Sequence, residues 1–509
     1  MGRARRTTVT PKATPKQRSP LQTARGDDVD VVHFVAEYGS FARTGGLAEA
    51  VSSLSRYQAA TGIRTTAIMP LYRPIRQQGH VLEPLGEPFG VQLGPRYHGA
   101  QLYRLGAGAR GPSLVFVDNR EFFDRERIYG EAGSDYPDNA QRFAFFSLAA
   151  LSALPDLVQG PTVLHAHDWH AALAPLYLRT TFAADERFDR VSAVLSVHNA
   201  GYQGHFPPAI LAELGIPFSL YNFRVLEWYN RVNLLKGGLY YADAVTTVSR
   251  THADELRTPD GGFGLHDMFR SLGDRLTGIT NGIDHTAWDP SNDAHTVERY
   301  SAADLSGKAR CKAYLQQRVG FPQNPRTPLF AMSARLVAQK GIDLILRSQV
   351  LTASDAQFVF LGQGEPRFVQ SLREAAAAAP HRVHVDTNFN DPAEHVLIAG
   401  ADLLLMPCQY EPCGLTQMRA QRYGVIPVAR RTGGLADTIT DGVTGFLFEE
   451  YDTAAFLGAI ARAMRHYGNP AAWRALMLAG MARDFSWERS EQMYLDVYRR
   501  VLAAAPLRA

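Results

Sequence analysis

The sequence predicts an α/β protein made of two doubly wound domains. Its 509 residues exceed what a single ordinary core covers, so two or more domains are expected. From residue 28 onward, short β-rich runs alternate with amphipathic helical segments, the pattern of parallel sheets covered by helices. The stretch RTGGLAE at residues 43–49 is echoed by RTGGLAD at 431–437. Each copy stands where a loop enters a helix, which suits one ligand clamped between two domains.

In the first block, a strand at 31–35 leads through a polar turn into the first copy and a helix to about residue 60. Strands follow at 65–69, 114–117, 163–167, 193–198 and 245–248, with helices around 141–151 and 171–178. Ser249 then starts another helix, as a serine cap does. The second block opens near residue 328 with a strand at 329–332, followed by Arg335, Lys340 and a helix over 341–350. A strand at 358–361 turns through glycines into a helix over 367–379. The strand 403–406 runs into PCQYEPCGLTQ, a helix over 415–423, a short strand at 426–428 and the second copy. A strand at 445–448 and two helices, the last over 489–505, complete the chain. The expected divisions are a basic extension (1–28), a first domain (29–280), a second domain (281–483, hinge near 281–306) and a terminal segment (484–509).

Hydrophobic content of 46% and charged content of 20% are ordinary for a globular protein. The net charge of +3 gives no reason to expect a nucleic-acid partner. Residues 1–26 carry Lys and Arg but no Asp or Glu, and read as a solvated tail, with a transit peptide as the alternative. No apolar run approaches the ~18–20 residues that span a bilayer. Cys311, Cys408 and Cys413 lack the number for a disulfide framework and the spacing for zinc, which points to a reducing, cytosolic setting.

The chemistry gathers at 407–437. Glu411 sits in a Pro- and Gly-punctuated turn after an apolar strand, on the sheet edge where α/β proteins bind ligands. Gly45, Gly46, Gly433 and Gly434 allow close backbone approach, and the helix start behind each pair favours an anion. Arg335 and Lys340 suit a diphosphate, one as a planar fork and one as a point charge. In HAHDWH, His165 and His167 share a strand face, so a metal must be considered. No further Cys or Glu is spaced to complete a site and HExxH is absent, so hydrogen bonding to a polyhydroxylated ligand is expected instead, against core packing as the plain alternative. His198, Asn199, Tyr202 and Gln203 again place polar groups after an apolar strand. Asp138 and Asn139 precede the helix bearing Phe143, where Asp138 reads equally well as a helix cap. No second acid pairs with Glu411, which argues against a glycoside hydrolase and for a leaving group that needs charge neutralised more than it needs a proton.

These residues resemble the bacterial glycogen synthase and plant starch synthase family, glycosyltransferase family 5. The motifs that carry the resemblance are RTGGLAEA at Arg43, FFDRERIYGEAGSDYPDNAQRFAFF at Phe122, HAHDWHAALAP at His165 and HNAGYQGHF at His198. TNGIDHTAWDP at Thr280, SARLVAQKGID at Ser333, EPCGLTQ at Glu411 and RTGGLADT at Arg431 continue it. The resemblance implies the GT-B fold: two Rossmann-like domains across a deep cleft, with the last helix crossing back to the first domain. It further implies that Glu411 is the essential acid against the donor glucose, and that Arg335 and Lys340 bind the diphosphate. His167 would contact the transferred sugar through main chain and ring, and Asn281 would lie near the donor at the hinge. Gly414, Leu415 and Thr416 would meet the distal phosphate, Asp138 the acceptor end, and Cys413 would neighbour the chemistry. Four departures stand out: Arg43 for the family's lysine, Glu49 for its aspartate, Phe389 for a tyrosine that stacks on adenine, and Cys408-Gln409 for Ser-Arg.

The expected activity is retaining transfer of glucose from ADP-glucose to the non-reducing end of an α-1,4-glucan in the cytoplasm, with no metal or other cofactor. A plastid location goes with the transit-peptide alternative. Use of UDP-glucose or another acceptor, and an inactive glucan-binding paralogue, are the other readings.

Overall fold

The computed structural model describes residues 21–22, 28–106, 111–131 and 133–504. Nearly all of the basic extension expected over 1–28 lies outside these residues. The first domain is organised on a sheet of nine strands. In spatial order its parallel part runs Leu276–Gly278, Ala244–Thr247, Val191–Val197, Thr162–His167, Asp30–Phe34, Arg64–Pro70 and Ser113–Asp118. The central strands Asp30–Phe34 (DVVHF), Thr162–His167 (TVLHAH) and Val191–Val197 (VSAVLSV) are buried along their whole length, which is why they read as continuous apolar runs rather than alternations.

The sheet continues antiparallel through Arg96–Leu105 to the edge strand Leu82–Leu93, a hairpin the sequence reading did not contain. Pro84, Gly86 and Pro88 mark that stretch as loop. The register shifts between Leu85 and Phe89, and an edge strand tolerates prolines and an irregularity that a central one would not.

The second domain carries six parallel strands in the order Val383–Asp386, Gln357–Leu361, Leu329–Ser333, Leu403–Met406, Ile426–Arg430 and Phe446–Phe448. Strand order reverses beside Leu329–Ser333, so the loops after it and after Leu403–Met406 open at the crevice where such sheets bind ligands. The helix Trp487–Ala504 returns to the first domain. Its Trp487, Tyr494, Leu495, Tyr498 and Val501 are buried with Val31, Leu54, Ile63, Val163 and Val194. The outgoing and returning chains touch where the Ile283 amide donates to the Phe485 carbonyl at 2.8 Å. A side chain at Gly282 would stand 2.7 Å from the Trp487 amide nitrogen, so only glycine lets the two crossings lie side by side.

Candidate active site

Glu411 is buried at the carboxyl edge of the second sheet, and Lys340 Nζ lies 2.5 Å from its Oε2. Lys340 ends the short turn Ala338–Lys340 that follows Leu329–Ser333. That turn can press on the Glu411 loop because Gly341 has φ +78° and a Cβ there would meet the Pro407 carbonyl at 2.0 Å. Burial alone would lower the Lys340 pKa, but the Glu411 carboxylate outweighs it and the amine is held above its ordinary value. The Cys408 thiol donates to the same Glu411 oxygen at 3.6 Å. Burial, and then the charge of Glu411, push that thiol far up, so it stays protonated.

Around this pair lie polar groups that make no hydrogen bond within the described residues. Arg335 is exposed, and its guanidinium has no hydrogen-bond or ion-pair partner among the described residues. The amides of Gly414, Leu415 and Thr416, leading into the helix Thr416–Arg422, likewise donate to no acceptor among the described residues. Gly414 has φ +70°, the left-handed conformation that turns this loop into the helix. The side-chain oxygen of Asn281 is buried without a partner.

The two glycine-rich turns bind anions, but the anions are the protein's own. The Thr44 amide and hydroxyl donate to Glu37 at 2.6 Å each, the Gly45 amide at 3.2 Å and the Tyr129 hydroxyl at 2.6 Å. In the second copy, the Thr432 hydroxyl (2.8 Å) and the Gly433 amide (2.9 Å) donate to Glu255 of the first domain. Gly45 and Gly46 face open space, whereas a Cβ on Gly433 or Gly434 would strike the carbonyls of Glu411 or Cys413 at 2.0 Å. The second pair of glycines therefore serves to seat a helix on the Glu411 loop.

The acids that close the two copies both reach across the cleft. Glu49 pairs with Arg419, which also holds Glu394 at 3.0 Å and stacks on Trp288. Asp437 accepts from the Thr251 hydroxyl at 2.6 Å and amide at 3.1 Å. Arg43 reaches Asp391 at 3.1 Å and Glu49 at 3.8 Å, over the half-exposed ring of Phe389.

At the carboxyl edge of the first sheet, His33 lies opposite His165 in the strand register. His33, His165 and His167 are the group among the described residues whose metal-ligand atoms approach one another closely enough to hold an ion. All six of their ring nitrogens are already hydrogen-bonded, to Gln58, Tyr498, Ser196, His198 and each other. The His167 ring is therefore occupied at both nitrogens and buried, so the ring contact expected from the sequence is not free to form as the side chain stands. Asp168, at φ +56°, is a strained non-glycine residue; its carboxylate accepts from the amides of His198 (2.6 Å) and Asn199 (3.3 Å). Burial raises its pKa to about 7, against the opposing pull of those amides.

The remaining sequence-derived residues divide. Tyr202 is exposed, and the Asn199 side chain caps the Gly201 amide at 2.9 Å beneath Tyr410 of the second domain. Gln203 is buried in bonds to Ala200, Phe263 and Asn233. Asn139 is buried between Tyr129 and Arg142, so both residues act within the first domain's own architecture. Asp138 holds the N-cap position without a side-chain capping bond and is clasped by Arg125 at 2.5 Å. Cys413 is buried, its thiol pushed up to about 12 by burial, and is no nucleophile at neutral pH. Sequence reasoning missed Glu37, Glu255, Arg419, His33, Gln58 and Tyr498. Only Glu37 carried a signal, as an acid directly after a buried strand and before a glycine-rich turn. A separate cavity of about 770 Å³, near Phe182, Asp243 and Arg275 at the amino ends of the strands, includes none of these residues.

The family described as "Starch synthase catalytic domain" matches residues 30–271, and that described as "Glycosyl transferases group 1" matches 316–475. A "Glycogen synthase" of Anaeromyxobacter sp. (strain Fw109-5) is 41% identical over 482 residues, covering 93% of this chain and 100% of the relative. "Glycogen synthase 2" of Geobacter sulfurreducens is 40% identical over 476 residues, covering 92% and 98%. Among solved structures, the catalytic domain of Starch Synthase IV from Arabidopsis thaliana bound to ADP and acarbose superimposes with a TM-score of 0.84 at 31% identity, covering 94% of this chain and all of that one. Sucrose-phosphate synthase from Thermosynechococcus elongatus, at 17% identity and a TM-score of 0.61, covers 93% and 99% and shares the two-domain fold.

Proposed function

Since the chain belongs to the glycogen and starch synthase family of glycosyltransferases, we propose that it transfers glucose from ADP-glucose, with retention, to the non-reducing end of an α-1,4-glucan. The observation that carries this reading is the buried Glu411–Lys340 pair, ringed by the unpartnered Arg335 and the free amides of 414–416. An acid beside an anomeric carbon, with cations and unpaired amides in the same loops, fits a nucleoside diphosphate leaving group. The diphosphate departs toward Arg335, Lys340 and the amides. The acceptor 4-hydroxyl attacks from the same face, and a leaving oxygen takes its proton. Glu411 positions the sugar and stabilises positive charge at its anomeric carbon. The cations neutralise the leaving group, so no metal is required in this reading. Phe389 and Arg43 are assigned to the nucleotide end, Asp138, Tyr202 and Asn199 to the acceptor end. Three free, buried cysteines support a cytoplasmic setting. Among the described residues no helix is long and apolar enough to cross a membrane.

The test is transfer of labelled glucose to glycogen from ADP-glucose and, separately, from UDP-glucose. At least about a tenfold preference for ADP-glucose in kcat/KM is expected. A reversed preference selects the UDP-glucose alternative, and no transfer from either donor selects a glucan-binding paralogue.

A further inference from the structure

The histidines at the carboxyl edge of the first sheet form one hydrogen-bonded ladder, and counting its protons decides which nitrogen carries each. Burial holds His33, His167 and His198 below the ordinary imidazole range, so each ring is neutral, with one N–H and one lone pair. The Gln58 amide anchors the far end. Its Nε2 donates to the Tyr498 hydroxyl at 3.2 Å, which leaves Oε1 to accept from His33 Nε2 at 2.8 Å. Tyr498 then gives its own proton to His165 Nδ1 at 2.7 Å, and His165 Nε2 faces Ser196 Oγ at 2.7 Å. The remaining protons follow by necessity. His33 Nδ1 accepts from His167 Nε2 at 2.9 Å, and His167 Nδ1 accepts from His198 Nε2 at 3.0 Å. His198 is left with a bare Nδ1 that has no partner among the described residues, on a partly exposed side chain. The turn that His198 opens meets Tyr410 of the second domain, so the ladder ends at the cleft. Turning the Gln58 amide over would reverse every proton and make His198 Nδ1 a donor.

We propose that Gln58 and Tyr498 are positioning residues for the transfer reaction, fixing the proton order so that His198 offers an acceptor nitrogen to a sugar hydroxyl in the cleft. The identity of that hydroxyl rests on the glucosyl-transfer reading; the ladder does not. Tyr498 belongs to the returning helix Trp487–Ala504, so this helix helps set the hydrogen-bonding sense of the site as well as covering the first domain.

The experiment is nitrogen-15 NMR of the histidine rings in the full-length protein, with resonances assigned from single-histidine replacements, alongside steady-state kinetics. The unmodified protein is expected to show the Nε2–H tautomer at His33, His167 and His198. Gln58→Met should give both tautomers at His198 and lower kcat about tenfold with the donor KM changed far less. Gln58→Glu, which still accepts from His33, should restore the Nε2–H form and most of the lost kcat. Tyr498→Phe frees the amide from its other side and should also mix the tautomers. Thermal midpoints check that each variant is folded. The proposal is overturned by an Nδ1–H tautomer at His198 in the unmodified protein. It is equally overturned if Gln58→Met loses kcat with its tautomers unchanged, or changes its tautomers with kcat intact. If the unmodified protein transfers no glucose from either nucleotide sugar, the glucosyl-transfer reading fails while the spectra still decide the ladder.

Discussion

Glu411 is a buried carboxylate whose charge is balanced by one amine, so Lys340 holds the acid in place, and on the proposed reading it also meets a phosphate. Lys340→Met leaves the acid facing only the weak Cys408 thiol. ADP binding, measured by calorimetry, is expected to weaken by about tenfold to a hundredfold, the range for losing one charge-assisted contact. Unchanged affinity would remove Lys340 from the diphosphate site. Arg43 is the departure with the larger structural consequence. Its guanidinium is shared between Asp391 and Glu49 above Phe389, a set of contacts a lysine would meet only as a point charge. Arg43→Lys is expected to leave kcat/KM within about threefold or to raise it, and complete loss of transfer would show that the arginine is specifically required. Sequence marked Lys340 as a charge following a strand at the sheet edge, and Arg43 through the echoed turn and its departure from the family's lysine. It could not show that Cys408 touches Glu411, because that contact depends on the backbone path of the intervening loop.

The strand Thr162–His167 and the short helix Asp168–Ala171 behind it carry histidines kept neutral by burial, which makes the first domain sensitive to acid. His170 isolates the effect. It stacks on Tyr129 with ring centroids 4.5 Å apart and lies tilted against Trp169 at 4.2 Å, and its Nδ1 is buried without a partner among the described residues. Burial, with a smaller push from Arg142, lowers its pKa to about 3. Below its ordinary value near 6.5 the unfolded chain takes up a proton that the folded ring does not. Stability from this group is therefore complete above that pH and is lost as pH falls toward about 3. His170→Phe should flatten the dependence of first-domain unfolding free energy on pH between about 6 and 4 by roughly 1.4 kcal/mol per pH unit. Urea titrations at several pH values measure this, and an unchanged slope would mean the ring already titrates in the folded state. The element pattern itself was legible because strands buried on both faces leave apolar runs too short and too β-branched for helices. The edge hairpin Leu82–Leu93 and Arg96–Leu105 escaped because half-exposed strands interrupted by proline and glycine leave no such run.

At the scale of the whole molecule, the repeated RTGGLA turn is a device for joining domains. Each copy ends in an acid that belongs, by contact, to the opposite domain: Glu49 to Arg419, and Asp437 to Thr251. Glu255 of the first domain caps the second copy, and the Ser249 hydroxyl donates to the Pro412 carbonyl at 2.6 Å, beside Glu411. The sequence displayed the echo, but a one-dimensional repeat cannot say that its two acids exchange domains; that follows only from the facing of the two sheets. Arg419 is buried over Trp288 between Glu49 and Glu394, so the cross-domain half of its charge can be removed without leaving it unbalanced. Glu49→Gln should therefore preserve the second domain's stability while weakening closure. In small-angle scattering the radius of gyration of the unliganded protein should rise, and kcat/KM should fall about tenfold, because on the proposed reading Glu411 and the groups at the carboxyl edge of the first sheet meet one substrate only when the cleft is shut. If radius and rate both stay as they are, the domains are held by the Ser249–Pro412 and Glu255–Gly433 contacts, and the longer side chain at residue 49 carries no share of closure.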